Sequence, residues 1–149
     1  MGGASTSLDL AVAKSRGYHN IGEAAVASGL TAKMIRHYEA LALIPKASRT
    51  KSNYRVYSTG DLHTLRFIKR ARGLGFSLEE IATLLGLWRS KRRASKRVKQ
   101  LAMQHIVELD QKIEEMQSMR AAVARLAAHC HGDHRPECPI LEDLSGGPT

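Results

Sequence analysis

Two cysteines stand near the end of the chain, Cys130 and Cys138, eight residues apart around a Gly132-Asp133 turn. Two thiolates joined by a flexible loop can approach one ion from opposite sides, and two-coordinate sulfur suits a soft monovalent ion such as Cu(I) or Ag(I). The loop also carries His131 and His134, with His129 just ahead of it, so a tetrahedral zinc site is open to the same residues. Two structural thiols with no ligand are the third option; the spacing favours metal binding over them without choosing the ion. A second group with chemistry lies far upstream. Lys33, Arg36, Arg49 and Arg55, interleaved with Tyr54 and Tyr57, combine cationic and aromatic groups suited to phosphates and base edges.

The charge distribution assigns that second group a partner. The chain has 149 residues and a formal charge of +9. Residues 19–91 hold 12 Lys and Arg against 5 Asp and Glu, whereas residues 92–149 are nearly balanced at 9 against 8. A polyanion-binding surface therefore belongs to the first half. No run of about 18 uncharged apolar residues occurs, which excludes a membrane-spanning helix. Two cysteines in a chain with no signal-peptide pattern point to a reducing, cytoplasmic setting. No Ser/His/Asp constellation, no apolar carboxylate pair and no phosphate-cradling glycine loop is present, so an enzyme is not expected.

The elements that must position these residues follow from local signals. Residues 1–18 read as a disordered lead. Ala25, Gly29 and Ile35 have the spacing of a helix-turn-helix: a small residue at a close crossing, a turn residue tolerant of positive φ, and an aliphatic locking the second helix. Thr31 caps that second helix, and Lys33 and Arg36 share one of its faces. Residues 49–57 read as a two-stranded wing with Asn53 in the left-handed turn conformation. A third helix is expected from the Ser58–Asp61 cap signal to a stop at Gly73, with Leu62, Leu65 and Ile68 inward. A fourth runs from the Ser77–Glu80 capping box to about Trp88, which is expected to anchor packing between domains.

From Ala94 to Cys130 there is no glycine or proline. Ala102, Ile106, Leu109, Ile113, Met116, Arg120, Val123, Ala127 and Cys130 step by alternating fours and threes, the seam of a coiled coil. A helix of about 55 Å, at roughly 1.5 Å per residue, cannot fold back on so small a domain, so its seam requires a second copy. Pro139 opens a short terminal helix capped at Cys138. The expected fold is mainly α, a winged helix-turn-helix DNA-binding domain (19–91) followed by a long dimerisation helix (92–129) and a metal-binding loop and tail (130–149).

Several stretches together resemble the MerR-type transcriptional activators, in particular the copper-efflux (CueR-like) regulators. They are Ile21-Gly-Glu-Ala-Ala with Gly29-Leu-Thr31, Ile35-Arg-His-Tyr-Glu39, Asn53-Tyr-Arg-Val-Tyr57, Gly73 to Glu80, Glu115-Met-Gln-Ser-Met119 and Cys138-Pro-Ile-Leu-Glu-Asp-Leu-Ser-Gly146. The resemblance implies a homodimer on double-stranded promoter DNA, distorting it for RNA polymerase, with one Cu(I), Ag(I) or Au(I) ion per protomer held by Cys130 and Cys138. Divalent-ion relatives carry a third cysteine where this chain has Ser95, so the resemblance implies monovalent selectivity. DNA contacts are expected from Thr31, Lys33, Arg36, Tyr38, Arg49, Asn53, Tyr54 and Arg55. His131 and His134 depart from that subfamily's more acidic loop, which keeps a Zn(II) or other divalent-ion sensor as the alternative. A small copper-binding protein would explain the cysteines but not the basic domain or the wing. Two further departures are Ala42 where the family has glycine after the second helix, and Ser52-Asn53 where it has Asn-Gly at the wing tip.

Overall fold

The computed structural model describes residues 10–90, 95–132 and 136–146, which fall into two units, Met1–Ser95 and Lys96–Thr149. Leu10–Ser15 forms a short helix, α1, inside the segment expected to be disordered. That expectation is corrected for these residues. Six residues do not sustain a helix alone; this one is held by its surroundings. Ala13 is fully buried, Lys14 meets Glu23 at 3.4 Å, and Thr59 Oγ1 donates to the Gly17 carbonyl at 3.5 Å. Residues 1–9 lie outside the described residues.

Strand β1 (His19–Asn20) leads into α2 (Ile21–Ser28) through a capping box. Glu23 N–H donates to Asn20 Oδ1 at 2.8 Å, and Asn20 N–H returns to the Glu23 carboxylate at 3.3 Å. The Asn20 backbone donor, with Lys14 assisting, holds the Glu23 carboxyl below its usual range. Gly29 ends α2 at φ +73°, the left-handed conformation that a turn between two helices needs. Thr31 then caps α3 (Ala32–Ala40), accepting from Met34 N–H at 3.2 Å. The inward face of α2 is Ala24 and Ser28; Ala25, the expected crossing residue, is only half-buried.

Beyond α3 the chain turns on Ala42 at φ +58°. A left-handed alanine costs about 1–2 kcal/mol, more than the roughly 0.5–1 kcal/mol of extra unfolded-chain entropy that glycine brings. Ala42→Gly should therefore raise stability by about 0.5–1 kcal/mol, read as a higher urea midpoint with an unchanged slope.

The wing forms as expected from β2 (Ser48–Arg49) and β3 (Arg55–Tyr57), paired antiparallel with Ser48 opposite Val56 and Arg49 opposite Arg55. Asn53 takes φ +67° at its tip. The sheet has a third member: β1 pairs with the other edge of β3, His19 opposite Tyr57 and Asn20 opposite Val56. Helices α4 (Thr59–Gly73) and α5 (Leu78–Arg89) both open on capping boxes, Ser58 with Asp61 and Ser77 with Glu80. Helix α4 ends at Gly73 as expected, and the left-handed turn beyond it is taken by Gly75 at φ +88°. Ile35, Tyr38, Ile44, Tyr57, Leu65, Ile68, Ile81 and Leu85 form the core of this unit. Trp88 stacks on Phe67 at 4.8 Å and 13°.

The second unit is dominated by α6 (Ser95–His129), followed by α7 (Pro139–Leu144). At 1.5 Å per residue α6 is roughly 52 Å long. Within the single chain the seam stands open to solvent: Ile106 is 48% exposed, Ile113 52%, Met116 64% and Val123 61%. Among the described residues no helix is long and apolar enough to cross a membrane.

Candidate nucleic-acid interface and metal centre

Lys33 and Arg36 lie on the exposed face of α3, opposite Ile35, which is fully buried. Thr31 is also exposed, but its hydroxyl is committed to capping α3. Tyr38 requires a correction. Expected to hold a nucleic-acid backbone, it is 2% exposed and belongs to the core. The reason is helical periodicity: three residues after Ile35, Tyr38 shares its inward face.

In the wing, Arg49 Nη1 donates to the Asn53 carbonyl at 3.0 Å and so braces the turn it flanks. Asn53 N–H reaches the Thr50 carbonyl at 2.9 Å, and Tyr54 N–H donates to Thr50 Oγ1 at 3.1 Å. These bonds leave the Tyr54 side chain 59% exposed on the wing surface. Arg55 is only partly available: its side chain is 34% exposed, and its Nε stands 3.6 Å from Glu39 Oε2.

Glu39 is the residue that sequence reasoning left without a role. Its Oε1 accepts the Ala47 N–H at 3.1 Å, and its Oε2 accepts the Tyr57 hydroxyl at 3.1 Å. Burial, and then the Glu39 charge, push the Tyr57 phenol up to about 12, so Tyr57 remains a neutral donor across the physiological range. A signal for Glu39 existed: it is one of five acids among the 73 residues 19–91, set at the end of a basic helix.

At the other end of the chain, Cys130 is the first residue after α6 and Cys138 is the N-cap of α7. Both cysteines are unbridged and half-buried. The Cys138 thiol makes no capping hydrogen bond, and the cap backbone serves instead through Glu142 N–H to the Cys138 carbonyl at 3.0 Å. Gly132 takes φ +66° in the intervening loop. His129 Nδ1 donates to the Arg125 carbonyl at 2.7 Å, and His131 is exposed. His134 lies outside the described residues. Ala122, Leu126, His129, Pro139 and Asp143 border a groove of about 440 Å³ between the end of α6 and α7. Ser95, the expected selectivity position, is exposed at the first residue of α6. Within one copy it is therefore a full helix length, roughly 50 Å, from Cys130.

Comparison with known proteins covers most of the chain. Residues 19–87 match the family described as MerR HTH family regulatory protein, and residues 62–126 match MerR, DNA binding. The chain is 55% identical over 128 residues to the heavy metal-dependent transcription regulator 2 of Rhizobium meliloti (strain 1021), covering 86% of this chain and 87% of that one. It is 41% identical over 127 residues to the HTH-type transcriptional regulator CueR of Escherichia coli O6:H1, covering 85% and 94%. The crystal structure of the transcription regulator PbrR691 from Ralstonia metallidurans CH34, in complex with lead(II), superimposes with a TM-score of 0.70 at 29% identity, over 85% of this chain and 98% of that one. With a winged helix-turn-helix ahead of a long exposed seam, and relatives matched along most of both units, this chain is a member of the MerR family of DNA-binding transcriptional regulators and not an enzyme.

Proposed function

We propose that this protein is a homodimeric, metal-responsive transcriptional activator that binds double-stranded promoter DNA and senses a soft monovalent ion, Cu(I) or Ag(I), with Au(I) in the same class. The observation that carries this reading is the pair of unbridged, half-buried cysteines at the two edges of one short loop, with the Cys138 thiol unused by the helix it caps. Similarity to a heavy metal-dependent regulator and to CueR across 85–86% of the chain supports it. Thiolate sulfur is a soft donor, and two of them neutralise a monovalent ion with one negative charge to spare. A divalent ion on the same pair would be left with too few ligands.

The DNA-reading half works separately. Lys33 and Arg36 enter the major groove from α3, while Arg49, Tyr54 and Arg55 meet the phosphate backbone from the wing. Asn53 sets the wing's turn and Thr31 the start of α3, so both act by shape. Two copies joined along α6 place two such readers on successive turns of one DNA face. One ion per protomer then biases the dimer toward the conformer that distorts the promoter for RNA polymerase in the cytoplasm. That bias requires tighter ion binding to the activating conformer than to the resting one.

The test is a competition titration of the reduced protein with Cu(I) and Zn(II), joined to X-ray absorption of the loaded form. Cu(I) should saturate at one ion per protomer with two sulfur neighbours in a near-linear arrangement, undisturbed by Zn(II). Four-coordinate Zn(II) with nitrogen neighbours and no Cu(I) preference would assign the site to His129 or His131 with the thiols, and overturn the monovalent reading.

A further inference from the structure

One carboxylate ties three separate pieces of the DNA-reading domain together. Glu39 sits in the last turn of α3, and its side chain is 11% exposed. Oε1 accepts from Ala47, the residue immediately before β2. Oε2 accepts from Tyr57 at the end of β3 and faces Arg55 at its start. Both strands of the wing are thus referred to the helix that carries Lys33 and Arg36. The wing needs such a brace, because strands of two and three residues are marginal on their own.

The Arg55 contact has a direction as well. Arg55 Nε is buried and makes no hydrogen bond, so the Glu39 carboxylate, with Oε2 at 3.6 Å, acts on it as a counter-charge. A guanidinium whose Nε faces a carboxylate inside the protein has its two Nη groups as a planar fork for one phosphate. We propose that Glu39 is a positioning residue of the DNA interface: it locks the wing to α3 and aims the Arg55 fork at the phosphate backbone. This rests on the DNA-binding reading above, and it predicts a sign that simple electrostatics does not. Neutralising an acid beside a polyanion removes repulsion and should tighten binding; removing a positioning acid should weaken it.

Glu39→Gln separates the two. The isosteric amide can still accept from Ala47 and meet the Tyr57 hydroxyl, so the fold is kept, but Arg55 loses its counter-charge. Duplex affinity of the full chain should fall about tenfold for specific and nonspecific sequences alike. The slope of log Kobs against log salt should shrink by about 1, the signature of one lost phosphate contact. In an Arg55→Ala background the same substitution should leave that slope unchanged, a non-additivity that a merely structural role would not produce. Glu39→Ala, which loses both hydrogen bonds as well as the counter-charge, should in addition speed hydrogen exchange at the Ala47 amide. Tighter binding by Glu39→Gln, or an unchanged slope in a wild-type background that does bind with a steep slope, would overturn the proposal alone. A wild-type protein with no salt-dependent duplex affinity would remove the DNA-binding reading and this role together.

Discussion

Ile113→Asp should convert the protein from dimer to monomer at micromolar concentration. Ile113 lies mid-seam on α6 and is 52% exposed in the single chain, so a second copy is what would cover it. The substitution places an unpaired carboxylate in that contact, and by two-fold symmetry it does so twice. Burying an unpaired polar group costs about 2–7 kcal/mol, and a charge more. Twice the lower figure already raises Kd about a thousandfold. Light scattering should read the mass of one chain, and circular dichroism should show helix lost, because an isolated α6 would expose its whole apolar stripe. A variant that remains dimeric with wild-type helicity would mean that the copies pair through some other face. The winged domain's core does not draw on Ile113, so the first unit should retain its fold in the monomer.

The parts of the fold legible in the sequence are those encoded over three or four residues. Ser77 with Glu80 and Ser58 with Asp61 satisfy each other's backbone donors locally, and both helices begin where those pairs stand. Gly29 and Asn53 sit at turns that demand positive φ, and both adopt it. The illegible parts rest on distant partners. Strand β1 is two residues long and exists because Tyr57 and Val56, some forty residues on, offer it an edge. Helix α1 depends on the burial of Ala13, which no local pattern announces. Glu39 finds Ala47 and Tyr57 eight and eighteen residues away, beyond any helical or strand period. Tyr38 is a different case: it stands three residues after Ile35 and away from the Lys33 and Arg36 face, so the period that buries it is local, and the expected DNA contact runs against that period. The cysteine loop was legible as residues and spacing; its chemistry depends on an ion that must be added by experiment.

Serine at either Cys130 or Cys138 should abolish the metal response while leaving duplex affinity within about twofold of wild type. The DNA-reading residues lie in the Met1–Ser95 unit and the cysteines in the other, so a thiol-to-hydroxyl change removes no phosphate or base contact. What it removes is half of the soft donor set. A monovalent ion left with one thiolate has one strong ligand and no reason to close the loop, so its differential affinity for the activating conformer vanishes. Transcription in vitro should then show basal output at every Cu(I) or Ag(I) concentration, with gel-shift affinity preserved; a Cys138→Ser protein that still responds would assign sensing elsewhere. Ser95→Cys supplies the opposite test. Because Ser95 and Cys130 stand at opposite ends of a helix roughly 50 Å long, a thiol at position 95 can reach the site only from a second copy running antiparallel. If the seam pairs that way, the added thiolate supplies a third ligand and a further negative charge, and Zn(II) or another divalent ion should become an inducer. Retention of strict Cu(I) and Ag(I) response in Ser95→Cys would mean that position 95 of the partner subunit does not border the ion.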